Sequence, residues 1–227
     1  MRAAVLKTLV LSMAILIAGS LGFASRWEWG FKTGFVRSQS HFSRDLPYAE
    51  VQSLNAFSIG AFLSNFFIND RLGIQPEIHY SVKGFDIIEE DLGEEISSRY
   101  KISYFEIPVL IAYRIPLRGR FMPGLVFGPY WGIAHKVTEV QTVFGNKEKR
   151  ELDDNLKDTD VGLVFGGNLR YRIGSMDILL CVRYSLGFTS ISKNIREVAY
   201  DFQSDDTIKN RALTLSIGLS FIPPVSR

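Results

Sequence analysis

Residues 71–85 read RLGIQPEIHYSVKGF, and their side chains fall into two rows. The even row is Leu72, Ile74, Pro76, Ile78, Tyr80, Val82 and Gly84; the odd row is Arg71, Gly73, Gln75, Glu77, His79, Ser81 and Lys83, and Phe85 ends the odd row with an apolar group. A period of two is that of an extended strand with one apolar and one polar face. In a soluble sandwich the polar face meets water. In a membrane barrel it points into the lumen and the apolar face meets lipid. The rest of the chain decides between them.

The chain has 227 residues, 46% hydrophobic and 22% charged, with a formal net charge of +2. That suits one large all-β domain, excludes disorder, and offers no electrostatic case for nucleic acid. A single cysteine, Cys181, excludes a disulfide framework and a cysteine-rich zinc site. Arg2 and Lys7 precede an apolar run, Leu9 to Ala24, that closes on Gly22-Phe23-Ala24. This reads as a cleaved signal peptide over residues 1–24, with residues 25–227 as the mature domain. Beyond Ala24 no apolar run is long enough to span a membrane as a helix, so any insertion must be by strands.

Seven further alternating stretches follow the same rule. They begin near Trp27, Ser53, Arg99, Arg120, Thr159, Met176 and Leu213, and with the opening stretch they make eight strands. Short links (Asn69-Asp70, Pro116 to Gly119, Gly174-Ser175) alternate with long polar ones at 38–52, 86–98, 138–158 and 190–207. An even strand number with short turns on one side and long loops on the other is the pattern of outer-membrane barrels. The polar rows are rich in glycine and serine with isolated charges of both signs, which suits the crowded interior of a narrow barrel. With the short turns in the periplasm, Trp27, Phe67, Tyr113, Phe121, Tyr171 and Phe221 fall at one interface as an aromatic girdle. The expected fold is an eight-stranded antiparallel up-and-down transmembrane β-barrel. Leu72, Ile74, Ile78, Tyr80 and Val82 are expected to face lipid.

Two strand sequences carry a family resemblance. Pro76-Glu77-Ile78-His79-Tyr80-Ser81-Val82-Lys83-Gly84 and Tyr104-Phe105-Glu106-Ile107-Pro108-Val109-Leu110 resemble paired motifs of the PorT-like outer-membrane β-barrel family, and Gly128-Pro129-Tyr130 resembles its G-P motif. The resemblance runs in order over the mature chain. It implies a bacterial outer-membrane location and, through a member linked to secretion, a role in protein export or envelope assembly. The chain departs from the usual barrel ending, because Ile222-Pro223-Pro224-Val225-Ser226-Arg227 follow the terminal aromatic Phe221.

The inward rows hold Glu28, Lys32, Glu77, Lys83, Glu106, Arg114, Asp160, Arg170, Arg172, Asp177 and Arg183. An unpaired buried charge is costly, so these are expected to pair into a structural network whose chief members are Glu77, Lys83, Glu106, Arg114, Arg170, Asp177 and Arg183. Glu77 and Glu106 are expected to pair with Lys83, Arg114 or Arg183. His41, His79 and His135 are read as lying in a loop, in the lumen and at a strand end. They match no metal-site spacing, and no nucleophile motif occurs. His41, Ser43 and Asp45 bring together the residue types of a lipid-acting enzyme, and Asp153, Asp154, Asn155, Asp158 and Asp160 those of a calcium loop without its glycine and terminal glutamate.

The functional expectation is a non-enzymatic outer-membrane protein without cofactor or metal, acting as a structural or interaction component linked to secretion or envelope assembly. A narrow pore or small-ligand transporter is the alternative, and an outer-membrane enzyme acting on lipid the second. Expected partners are outer-membrane lipid, the barrel-insertion machinery and a secretion or envelope protein, with periplasmic termini and long loops at the cell surface.

Overall fold

A computed structural model describes residues 27–42, 49–91, 94–143, 146–151, 159–191 and 207–223. The leader assigned to residues 1–24 lies outside them. Nine strands form one antiparallel sheet: β1 (Trp27–Phe42), β2 (Ala49–Ile68), β3 (Leu72–Asp91), β4 (Glu94–Arg114), β5 (Phe121–Val143), β6 (Asn146–Glu151), β7 (Thr159–Ile173), β8 (Met176–Gly187) and β9 (Ile208–Phe221). Eight of them close a ring, β1-β2-β3-β4-β5-β7-β8-β9 and back to β1, while β6 pairs only with the far end of β5. The chain is an up-and-down β-barrel.

The tight turns follow local chemistry. Asn69 and Asp70 take φ of 50° and 56°, a conformation their short side chains tolerate, and Gly174 takes φ of 62°. The β2–β3, β4–β5 and β7–β8 links gather at the end of the ring where β1 begins and β9 finishes.

The two faces settle the question posed by residues 71–85. Outward side chains such as Phe31 (55%), Ile111 (58%) and Ile217 (59%) are exposed, whereas Lys32, Glu77 and Arg170 are at most 4% exposed. A water-soluble protein has the reverse arrangement. A continuous outward apolar belt around a polar interior is the surface of a membrane barrel. The belt is edged by aromatics. At the short-turn end Trp29 stacks on Phe221 at 4.5 Å and Phe121 meets Tyr171 at 4.9 Å. Nearer the other end Phe57, Tyr80, Phe105 and His135 pack in a row, with neighbouring ring centroids 5.0 to 6.1 Å apart.

The strands outrun that belt. β2 to β5 have 20, 20, 21 and 23 residues, against 12 to 16 for β1, β7, β8 and β9. At about 3.3 Å per residue and a tilt of about 40°, twenty residues rise about 50 Å, roughly twice the apolar band. Beyond the belt the two faces exchange character. Phe85, Ile87, Tyr100, Ile102, Tyr104, Ala134, Val137, Ile191 and Ile208 form an inward apolar cluster, with Phe42 and Val51 packed against it. The outward positions at this height include Glu50, Gln52 and Arg99, all exposed. Phe85 is where the inward row of β3 turns from polar to apolar.

This exchange corrects several loop assignments. Residues 38–42 continue β1 and 49–52 belong to β2; most of 86–98 is a β3–β4 hairpin with Glu90 opposite Glu95; and 138–143 with 146–151 make the β5–β6 hairpin. Polarity there marks departure from lipid, not from the sheet. Val82 departs from expectation too, being only 9% exposed where the β2–β3 register shifts between Ser53 and Ser58. Gly84, with φ of 151°, sits at the same place. Its amide donates to Ser38 Oγ at 2.9 Å and its carbonyl accepts from that hydroxyl at 2.8 Å, and a Cβ there would lie 1.9 Å from the Tyr100 carbonyl oxygen. Only glycine fits.

Candidate functional site: the charged lumen

Alternation along each strand delivers one inward group every second residue, and the ring brings groups from distant strands together. They settle in three tiers. In the tier nearest the short turns, Glu28 of β1 accepts from Arg114 of β4 and, at 2.8 Å, from Arg170 of β7. Arg170 also lies 3.7 Å from Asp177, which Arg172 engages with two hydrogen bonds of 2.9 and 3.2 Å. The Arg114 guanidinium rests 3.5 Å over the Phe66 ring.

Glu77 is the hub of the middle tier. Its carboxylate accepts from Lys32 of β1 at 2.8 and 2.9 Å, from Arg183 of β8 at 2.9 Å, and from Gln75 at 2.6 Å, with His79 Nε2 at 2.8 Å. Ser64 donates to Gln75 at 3.2 Å. Phe62, Leu179 and Cys181 form a small apolar cluster on this side of the lumen.

The third tier centres on Lys83, which pairs with Glu106 and lies 3.7 Å from Asp160 and 4.7 Å from the Tyr130 ring centroid. Asp160 accepts from the Tyr130 hydroxyl and from Asn210 Nδ2, both at 3.0 Å, and Asn210 also donates to the Tyr104 hydroxyl at 3.0 Å. Ser81 donates to Glu106 at 2.9 Å. Between the middle and third tiers a cavity of about 50 Å³ is bordered by Lys32, His79, Lys83, Glu106 and Arg183. It has room for a few waters.

The structure thus joins Glu77 to Arg183, Glu106 to Lys83, and Arg170 to Asp177. It does not bring Arg114 to Glu77 or Glu106; Arg114 reaches Glu28 instead, because the ring sets β1 and β4 facing one another across the lumen near the short turns. Lys32 is the other partner of Glu77. Asn210 lies outside the sequence expectation altogether, and its signal is its inward parity three residues before Leu213. His41 lies on β1, outward and exposed, rather than in a loop. Ser43, Asp45, Asp153, Asp154, Asn155 and Asp158 lie outside the described residues. Among the described residues no cluster of three or more His, Cys, Asp or Glu is placed to hold a metal ion.

A family model described as outer membrane protein beta-barrel domain matches residues 18–193. The chain belongs to that family. The match takes in all the tier residues from Glu28 to Arg183 and stops before β9, so Asn210 and the closure of the ring lie beyond it. Solved barrels share the fold at low identity. OprG from Pseudomonas aeruginosa is similar at 10% identity and a TM-score of 0.53, covering 88% of this chain and 97% of its own. A major outer membrane protein from Thermus thermophilus is similar at 12% identity and a TM-score of 0.50, covering 88% and 100%. Neisserial surface protein A gives 11% identity, a TM-score of 0.42, and coverage of 85% and 96%. No curated protein matches the chain. Membership of the outer membrane beta-barrel domain family carries the fold of this chain. It assigns no chemistry to the tiers.

Proposed function

We propose that this barrel is a PorT-like, non-enzymatic component of the bacterial outer membrane, working as an interaction platform in protein secretion or envelope assembly. In this reading the termini and short turns are periplasmic, and the extended ends of β2 to β6 stand at the cell surface. The observation that carries it is the filled interior. The tiers pair their charges across the ring, the cavity between them is about 50 Å³, and an apolar cluster overlies the third tier. Such an interior favours a scaffold over a conduit or a catalytic cleft, because a drug-sized ligand site takes roughly 300–1,000 Å³. The tiers then serve structure, sharing the interior with inward apolar clusters such as Phe66, Leu110, Val126 and Val164.

Mild crosslinking in intact cells followed by purification of the folded barrel tests this. A stable envelope or secretion partner is expected, together with an altered set of exported proteins on deletion. Recovery of the barrel alone with unchanged export would sink the proposal.

A further inference from the structure

The described inward cations all have carboxylates. Outside the belt, several described cations are paired as well: Arg99 meets Asp86, Lys136 and Lys149 meet Glu151, and Arg150 meets Glu148. Arg37, Lys209 and Arg211 have no carboxylate within salt-bridge distance among the described residues, and they lie together. On β1 the outward row runs Phe31, Thr33, Phe35, Arg37, Gln39, His41; on β9 it runs Leu215, Leu213, Arg211, Lys209; each is exposed. Gln39 stands opposite Arg211 and His41 opposite Lys209, with Arg37 one pair lower, opposite Leu213. The flanking β2 position is Asn55, and Leu186 flanks on β8. Glu50 lies past the end of the β1–β2 pairing, where it accepts from Gln52.

We propose that Arg37, Lys209 and Arg211, with His41 beside them, bind phosphate groups of an outer-leaflet lipid. Cross-strand neighbours stand roughly 5–8 Å apart, and like charges at that spacing repel unless an anion lies between them. The position selects the anion. From Phe221 at one edge of the belt, β9 climbs about 25 Å to Arg211, the height of the whole apolar band. Phe35 and Leu213, directly below, would lie against acyl chains while the guanidinium groups meet the headgroups. Arginine suits phosphate because its fork of N–H donors matches two oxygens at once. This assignment rests on the orientation proposed above, which makes the adjoining leaflet the outer one.

The test uses the full-length folded protein and native mass spectrometry with bisphosphorylated lipid A and its dephosphorylated form. Retention of the phosphorylated lipid is expected, with about tenfold or greater loss in R37Q/K209Q/R211Q, each basic group near a charged surface contributing severalfold. R71Q/R118Q/R120Q removes the same charge at the short-turn end and should keep the wild-type affinity. Heat-shifted gel mobility shows which variants fold, and K209Q/R211Q serves if the triple variant does not. Equal retention of dephosphorylated lipid, equal loss in the control variant, or displacement by inorganic phosphate would each overturn the site. Labelling of K147C in intact cells with an impermeant maleimide reads the orientation separately; failure there alone removes the outer-leaflet assignment and leaves the lipid result legible.

Discussion

Glu77 shows what a single buried carboxylate does in this lumen. It pairs with both Lys32, two strands away on β1, and Arg183, directly across the ring on β8, and it is fully enclosed. Removing one member of a buried ion cluster typically costs about 3–5 kcal/mol, because the partners remain charged and dry. E77A should therefore lower the stability of the folded barrel by that amount, read from the denaturant midpoint, and E77A/K32M should recover part of it; equal loss in both would mean that the charge balance is unimportant. Gly84 and Ser38 make a second residue-scale device. S38A leaves the Gly84 amide and carbonyl without the hydroxyl they share, at a cost of about 1–3 kcal/mol. G84V is expected to block folding, read as loss of the heat-shifted band, since its side chain would enter the backbone of Tyr100.

At the scale of strands, three prolines define a line of weakness. Strand pairing is absent opposite Pro76 in β2–β3, opposite Pro108 in β3–β4, and opposite Pro129 in β4–β5. Each proline lacks the N–H that its ladder needs. The three gaps run on from strand to strand across the wall, beside the Glu77 and Lys83 tiers. Amides at 63–64, 77–78 and 109–110 should exchange faster in hydrogen exchange than those of the uninterrupted β8–β9 ladder; uniform protection around the ring would contradict this. The β5–β6 hairpin carries a weaker device. Hydrogen bonds from Lys136 and then Lys149 hold the exposed Glu151 carboxyl below the usual carboxylate range. A lowered folded-state pKa stabilises above the ordinary carboxylate value and ceases to do so as pH falls through the lowered one. Exchange of β6 amides should thus rise, modestly, only on acidification below about pH 4.

For the whole molecule, the filled interior predicts planar-bilayer recordings without conductance above the lipid baseline. Well-defined channel steps would require an open path that the tiers and the apolar cluster do not leave. The part of the fold inside the belt was legible in the sequence because lipid imposes one rule on every outward position, so rows such as Leu213, Leu215, Ile217 and Leu219 identify themselves. The extensions were not. Asp86 and Lys147 read as loop because outward polarity is normal for a strand in water, and nothing local announces the change of solvent. Partner choice in the lumen was legible only in part. Glu106 and Lys83 come from adjoining strands, but Glu28 and Arg114 are 86 residues apart and meet through closure of the ring. Ring closure is a property of shear and register, which no single strand encodes.

The reversal of faces at Phe85 has a mechanical consequence. A uniform barrel can slide along the membrane normal, or adapt to a thinner bilayer, by exchanging one apolar ring for another. This one carries a stop at its upper edge. Sinking by a single residue pair would carry Arg37 and Arg211 into hydrocarbon, and rising by one would lift the Phe57, Tyr80 and Phe105 row into water. The two solvent regimes written along the same strands act as a depth gauge, holding the protruding ends of β2 to β6 at a fixed height above the lipid.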